Sequence, residues 1–171
     1  MNTSGHIINN TALSNLAQVD LVSLLQKLYD KRIYTALLVA DEIKRGIRDG
    51  YSFLNRAERC LTTESDGGWI HVLSLQTQSE QRLYLELRQM LHPGEAECLA
   101  LAISRKFVFV TDDKAARRHT TRHGVPLTGT IGILVQAVKR SFLSLEQANQ
   151  HLTEMIAEQY YSPVDRLDDW V

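Results

Sequence analysis

The unbroken apolar run Phe107-Val108-Phe109-Val110 constrains this 171-residue chain more than any other feature, because of what flanks it. A run this short reads as a strand covered on both faces, the signature of a central strand in a parallel sheet. Before it, Pro93 and Gly94 open a helix with Glu95 in its first turn. Ala96, Leu99, Ala100 and Ile103 then recur at i, i+3, i+4 and i+7, so one helix face is apolar. After the run come Thr111, Asp112 and Asp113. Carboxylates at the carboxyl end of a central strand lie where open α/β sheets hold their ligands. A few acids converging there form the protein half of a divalent-metal site. Plainer accounts also exist. Asp112 and Asp113 serve equally as a solvated turn capping a helix that begins near Lys114. Glu95 serves equally as a carboxylate favoured by a helix dipole. A site therefore requires acids from elsewhere in the chain.

The rest of the chain supplies candidates. His6, Ile7 and Ile8 are β-prone and stop at Asn9 and Asn10, which marks a first strand. Residues 13–16 read as a turn or the start of a helix. Leu21, Leu24, Leu25 and Leu28 define an amphipathic helix, and 32–35 a second strand. The next helix covers 37–48, with Val39, Ala40, Ile43 and Ile47 on its buried face. Glu42 lies at the border of that face and Asp41 points farther out. From that border a carboxylate reaches a site at the sheet edge, or simply pairs with Arg45 at i+3. Residues 51–63 read as helix, 62–68 as loop, 69–73 as strand and 79–91 as helix. Beyond Asp113 a basic helix runs to residue 123, carrying Lys114, Arg117, Arg118, His119 and Arg122. A brief strand at 124–127 and helices over 130–139 and 144–158 complete the pattern. Strands alternating with helices predict an α/β fold with a mainly parallel central sheet and right-handed crossovers. One domain is expected over 1–160, with a docked or mobile C-terminal tail over 161–171.

Composition narrows the chemistry. A net charge of −1 excludes a bulk polycation, so nucleic acid would be held by a local basic patch. Cys60 and Cys98 lack metal-ligand spacing, and the six histidines lack zinc spacing, which argues against a structural zinc. Neither a glycine-rich phosphate loop nor a Ser/His/Asp nucleophile pattern occurs. No apolar run approaches membrane-spanning length and the N-terminus lacks a signal-peptide pattern, so a cytoplasmic protein with reduced thiols is expected.

Three stretches, with the chain's opening, carry a family resemblance. The opening INNTALSNLA is similar to one in which an aspartate ends the first strand before Asn-Thr-x-Leu-Ser-Asn. GEAECLALA and VTDDKAAR match a Gly-Glu-x-Glu and Asp-Asp-x-x-Ala-Arg pair, and LTGTIGILVQAVKRSFL matches a Gly-Thr-x-Gly-x-Leu helix. Over residues 6–160 the chain resembles the PIN-domain ribonucleases, in particular the VapC-like toxins. That resemblance implies a three-layer α/β/α fold with helices on both faces of the sheet.

Carried over by position, the family's acidic cluster falls on Asn9, Glu42, Glu95 and Asp113, with Asp112 and Glu97 as alternates. Glu95 and Glu97 lie about 200° apart on a helix, so at most one faces the site. The family's spacing selects Glu95, and its Thr-x-Asp pattern selects Asp113. The resemblance implies RNA phosphodiester hydrolysis with Mg2+ or Mn2+ at Asn9, Glu42, Glu95, Asp112 and Asp113. Lys114, Arg117, Arg118 and Arg122 are candidates for the RNA backbone, or a solvated helix face. Thr11 and Ser14 would orient a water or phosphate beside the first acid, or cap a helix. A homodimer and a small cognate antitoxin that fills the acidic groove are implied in the same way. The departure is Asn9, where the family has aspartate. Asparagine keeps the shape but loses the charge, weakening a hard-cation site. It reads either as an engineered inactivation, which the three remaining acids favour, or as a natural variant. The alternative function is a non-catalytic RNA-binding or regulatory protein on the same fold.

Overall fold

The computed structural model describes residues 4–62 and 67–171. Residues 63–66, within the loop expected over 62–68, lie outside the described residues. Five short strands form one sheet: β1 His6–Ile8, β2 Ile33–Ala36, β3 His71–Leu73, β4 Val108–Val110 and β5 Leu127–Thr128. Their order is β3-β2-β1-β4-β5 and every pairing is parallel. The α/β class and the parallel sheet expected from the sequence are therefore present. β1 lies at the centre, paired with β2 on one side and β4 on the other. Strand order reverses there, and the crevice beyond the carboxyl ends of β1 and β4 is the topological switch point.

Burial explains the apolar run. Val108, Phe109 and Val110 are all buried, although alternate residues face opposite sides of the sheet. Both faces of β4 are thus covered, as are those of β1 at Ile7 and Ile8.

The connecting helices are α1 Asn10–Gln18, α2 Ser23–Tyr29, α3 Leu37–Arg48, α4 Asn55–Glu58, α5 Gln78–Leu87, α6 Pro93–Arg105, α7 Lys114–Arg122, α8 Thr130–Lys139 and α9 Leu145–Ala157. The periodicity over 37–48 and 130–139 matches α3 and α8 at both ends. Among the described residues no helix is long and apolar enough to cross a membrane.

Some expectations need correction. The described part of the helix expected over 51–63, residues 51–62, is not one helix. A 3-10 turn, Ser52–Leu54, leads into the single turn of α4. The chain then leaves the helix because residues 60–62 pair with 69–70: Trp69 N–H donates to the Cys60 carbonyl and Thr62 N–H to the Ile70 carbonyl. The helix expected over 79–91 stops at Leu87, and the Arg88 side chain caps the Leu91 carbonyl. The strand expected over 124–127 begins only at Leu127. Gly124 has φ +65°, and Pro126, with no N–H to donate, joins the ladder only through its carbonyl, which accepts from Phe109 N–H at 2.8 Å. Residues 13–16 are the middle of α1 rather than its start.

The segment after α9 packs against the body. Leu167 is fully buried, and its N–H donates to the Asn149 side-chain carbonyl at 2.8 Å.

Candidate metal and nucleic-acid site

Asn9 is the first residue beyond β1, at the switch point. Its N–H continues the sheet ladder by donating to the Val110 carbonyl at 3.1 Å. The side chain is 1% exposed and satisfied at both ends. Its Nδ2 donates to Thr111 Oγ1 at 2.8 Å, while its Oδ1 accepts from Thr11 Oγ1 at 2.8 Å and from Ala12 N–H at 3.5 Å. The last bond makes Asn9 the cap of α1, the residue type that best satisfies an orphan helix N–H.

Three carboxylates from three other elements share a single arrangement. Each is anchored through one oxygen to a backbone N–H, and the other oxygen has no hydrogen-bond partner among the described residues. Glu42, on α3, accepts from Gly94 N–H through Oε1 at 3.1 Å. Glu95, on the first turn of α6, accepts from His92 N–H through Oε2 at 3.2 Å. Asp113 caps α7 by accepting from Ala116 N–H through Oδ1 at 2.7 Å. Gly94 is required for the first of these contacts, because a Cβ there would lie 2.5 Å from Glu42 Oε1. The ion pair of Glu42 with Arg45 anticipated from i+3 spacing does not form among the described residues, because the carboxylate turns to α6 instead.

The carboxylates feel one another. Burial raises the pKa of Glu95, and the charges of Asp113 and then Glu42 raise it further against the opposing pull of His92. Burial also raises that of Glu42, opposed by the Gly94 amide, His92 and Arg45. Negative charge is therefore concentrated in a half-buried place, where a cation would relieve both the desolvation and the mutual repulsion.

The two alternates occupy different surroundings. Glu97 turns to the start of α3 and accepts from Leu38 N–H at 2.8 Å; its pKa is raised by burial and, less, by Asp41 and Glu42. Asp112 has both oxygens occupied. Oδ1 accepts from Thr130 N–H at 2.9 Å, and Oδ2 from the Thr130 hydroxyl and from Asn15 Nδ2 at 3.0 Å. Tyr160 OH adds a long contact at 3.4 Å. Asp112 thereby ties the end of β4 to the start of α8. Gly129 is needed beside it, since a Cβ there would lie 2.5 Å from Asp112 Oδ1.

Asn9, Thr11, Asp41, Glu42, His92 and Glu95 line a cleft of about 460 Å3. Asp113 lines an adjoining hollow of about 650 Å3 that shares Asn10 and Thr11 with the cleft and also holds Ser14 and Lys114. Thr11 accepts from Asp112 N–H at 3.2 Å, and Ser14 donates to the Asn10 side chain at 2.9 Å. Arg117 donates to the Thr111 carbonyl at 2.9 Å and so steadies the end of β4. Arg117, Arg118 and Arg122 line a basic hollow farther along α7.

Among the described residues no three His, Cys, Asp or Glu side chains approach closely enough to hold a metal ion as they stand. The donor chemistry nevertheless fits a hard divalent cation: three carboxylates, each with one oxygen fixed and one available. Asn9 fits less well, because it is uncharged and its carbonyl already accepts twice. Asn15 and Thr130, which occupy Asp112, stand inside the quoted motifs, but the sequence assigns them no role, and Tyr160 lies in no motif. Only the closed fold brings the three together.

No curated protein and no solved structure matches this chain. A family model described as a PIN domain, DUF3368, matches residues 6–170. That match spans all five strands and every residue of the carboxylate arrangement: the chain belongs to the PIN-domain family.

Proposed function

We propose that this protein is a metal-dependent endoribonuclease of the VapC toxin type, weakened or silenced by Asn9. The observation that carries the reading is the set of three carboxylates, Glu42, Glu95 and Asp113, each anchored through one oxygen with the other available. Mg2+ or Mn2+ bound at those oxygens would polarise a water and neutralise charge on the scissile phosphate. The chain's own residues do the positioning. Gly94, His92 and Ala116 amides hold the three carboxylates in place, and Thr11 fixes the side chain at position 9. Lys114, Arg118 and Arg122 offer cations to the RNA backbone. A homodimer and a small antitoxin belong to the same proposal.

The test is Asn9→Asp, incubated with an RNA panel that includes tRNA, with Mg2+ or Mn2+. Asp113→Ala in the same background is the control. Metal-dependent cleavage that vanishes in the control is the expected result. Absence of both cleavage and metal binding would overturn the catalytic reading.

A second reading, RNA binding without catalysis, is favoured by one observation. The Asn9 amide is matched by Thr111 and Thr11 at its two ends, as a settled structural residue would be.

A further inference from the structure

The hollow beside Asp113 continues away from the acidic cleft. It shares Asp112, Lys114, Tyr160 and Tyr161 with a second hollow of about 360 Å3 that also holds Arg117, Pro163 and Trp170. This second hollow shares Arg117 and Leu127 with the basic one formed by Arg118 and Arg122. The four hollows thus form one trough, with carboxylates at one end, aromatic rings in the middle and arginines at the other.

The middle is unusual for a protein surface. Tyr161 is 79% exposed and Trp170 51% exposed, and the Lys114 ammonium lies 4.3 Å from the Tyr161 ring centroid. Open aromatic rings beside cations are how sequence-tolerant sites take single strands: bases stack on the rings and phosphates meet the charges. The ends fit the same occupant. A phosphodiester held at the carboxylates through a cation would pass its continuing strand along the rings into positive potential. An acidic peptide would gain from the arginines but has no bases to stack on the rings.

We propose that the segment carrying Tyr161 and Trp170, with α7, forms a docking track for one single-stranded flank of the nucleic-acid substrate. This rests on the ribonuclease reading above. The track names the surface that would hold the strand outside the carboxylate site.

The experiment measures binding of a fluorescently labelled eight-nucleotide single-stranded RNA in EDTA, where metal-dependent cleavage cannot occur. Tyr161→Ala and Trp170→Ala should each weaken binding about tenfold, since stacking on one ring contributes that order of affinity. Tyr161→Phe should retain it. Tyr51→Ala, at a tyrosine 59% exposed outside the trough, should bind as the parent does. Arg118→Ala with Arg122→Ala should flatten the salt dependence by about two phosphate contacts. Thermal melting of each variant separates lost binding from lost folding. Parent-like binding by both aromatic variants would overturn the track and leave the surface to a protein partner. If Asn9→Asp still cleaved RNA in that case, the ribonuclease reading would survive the loss of the track. Absence of any RNA binding by the parent would overturn the track, and absence of cleavage by Asn9→Asp would then take the ribonuclease reading with it.

Discussion

Adjacent aspartates at the end of β4 have different duties, and substitution should separate them. Asp112→Ala strands the Thr130 N–H and the Asn15 amide in a partly buried place, so a loss of about 2–3 kcal/mol is expected in urea melts. Asp113→Asn keeps the cap on α7, because asparagine caps as well as aspartate does, and stability should change by less than about 0.5 kcal/mol. In an Asn9→Asp background, however, it should abolish metal-dependent cleavage. The two residues look alike in sequence. Only the family's Thr-x-Asp spacing distinguished them there; that Thr130 and Asn15 occupy Asp112 is visible only in the closed fold. Position 9 offers a second contrast. Thr111 Oγ1 accepts from both Asn9 Nδ2 and Asp113 N–H. With aspartate at position 9, the same hydroxyl rotates its own proton towards the new carboxylate. Asn9→Asp should therefore fold normally but melt a few degrees lower without metal, because it adds a fourth negative charge. Mn2+ should raise its melting temperature more than it raises the parent's.

Elements are held to one another by buried polar ties that patterning does not display. Glu80 caps the start of α5, accepting from Gln76 N–H at 2.6 Å and Thr77 N–H at 3.2 Å, and pairs with Arg105 on α6 at 2.9 Å. The Arg105 hydrogen bond holds its carboxyl down at about 2, against the upward push of burial and with help from the Gln76 and Thr77 amides. The folded state thus favours the charged form. Its contribution is fully present above the ordinary carboxylate pKa of 4.5 and is lost as pH falls from there towards about 2. Glu80→Gln should cost about 2–3 kcal/mol at pH 7 and flatten the acid limb of a stability profile over that window. The Thr77-x-x-Glu80 spacing is a capping box legible in the sequence, but the ion pair is not, since the glutamate's partner lies 25 residues away on the next helix. The helices themselves were legible wherever one apolar face repeats, as on α3 and α8. The failure over 51–63 came from a competing interaction: residues 60–62 gain sheet-like bonds to 69–70 that no helical periodicity foretells.

For the whole molecule, the segment after α9 is part of the body. Leu167→Ala should lose about 2–4 kcal/mol in a denaturant melt, as expected of a fully buried leucine. Removing residues 163–171 should lower the melting temperature and, with Trp170 gone, weaken RNA binding as well. The sequence left this segment open because it lacks helical period, and its anchoring through Asn149 is visible only in three dimensions. The sheet order carries a further implication. β1 pairs with β4 across about a hundred residues, His6 against Val108, and the Asn9–Thr111 bond spans 102 positions. Local helices can form early, but this pairing must wait for a long loop to close. Glu42 can be present in a partly folded chain, yet Asn9 meets Thr111 and the Asp113 turn only when the central strands join. Any cation affinity at this edge is consequently a late event on the folding path. A chain stalled before that step would have helices and a partial core, but none of the chemistry.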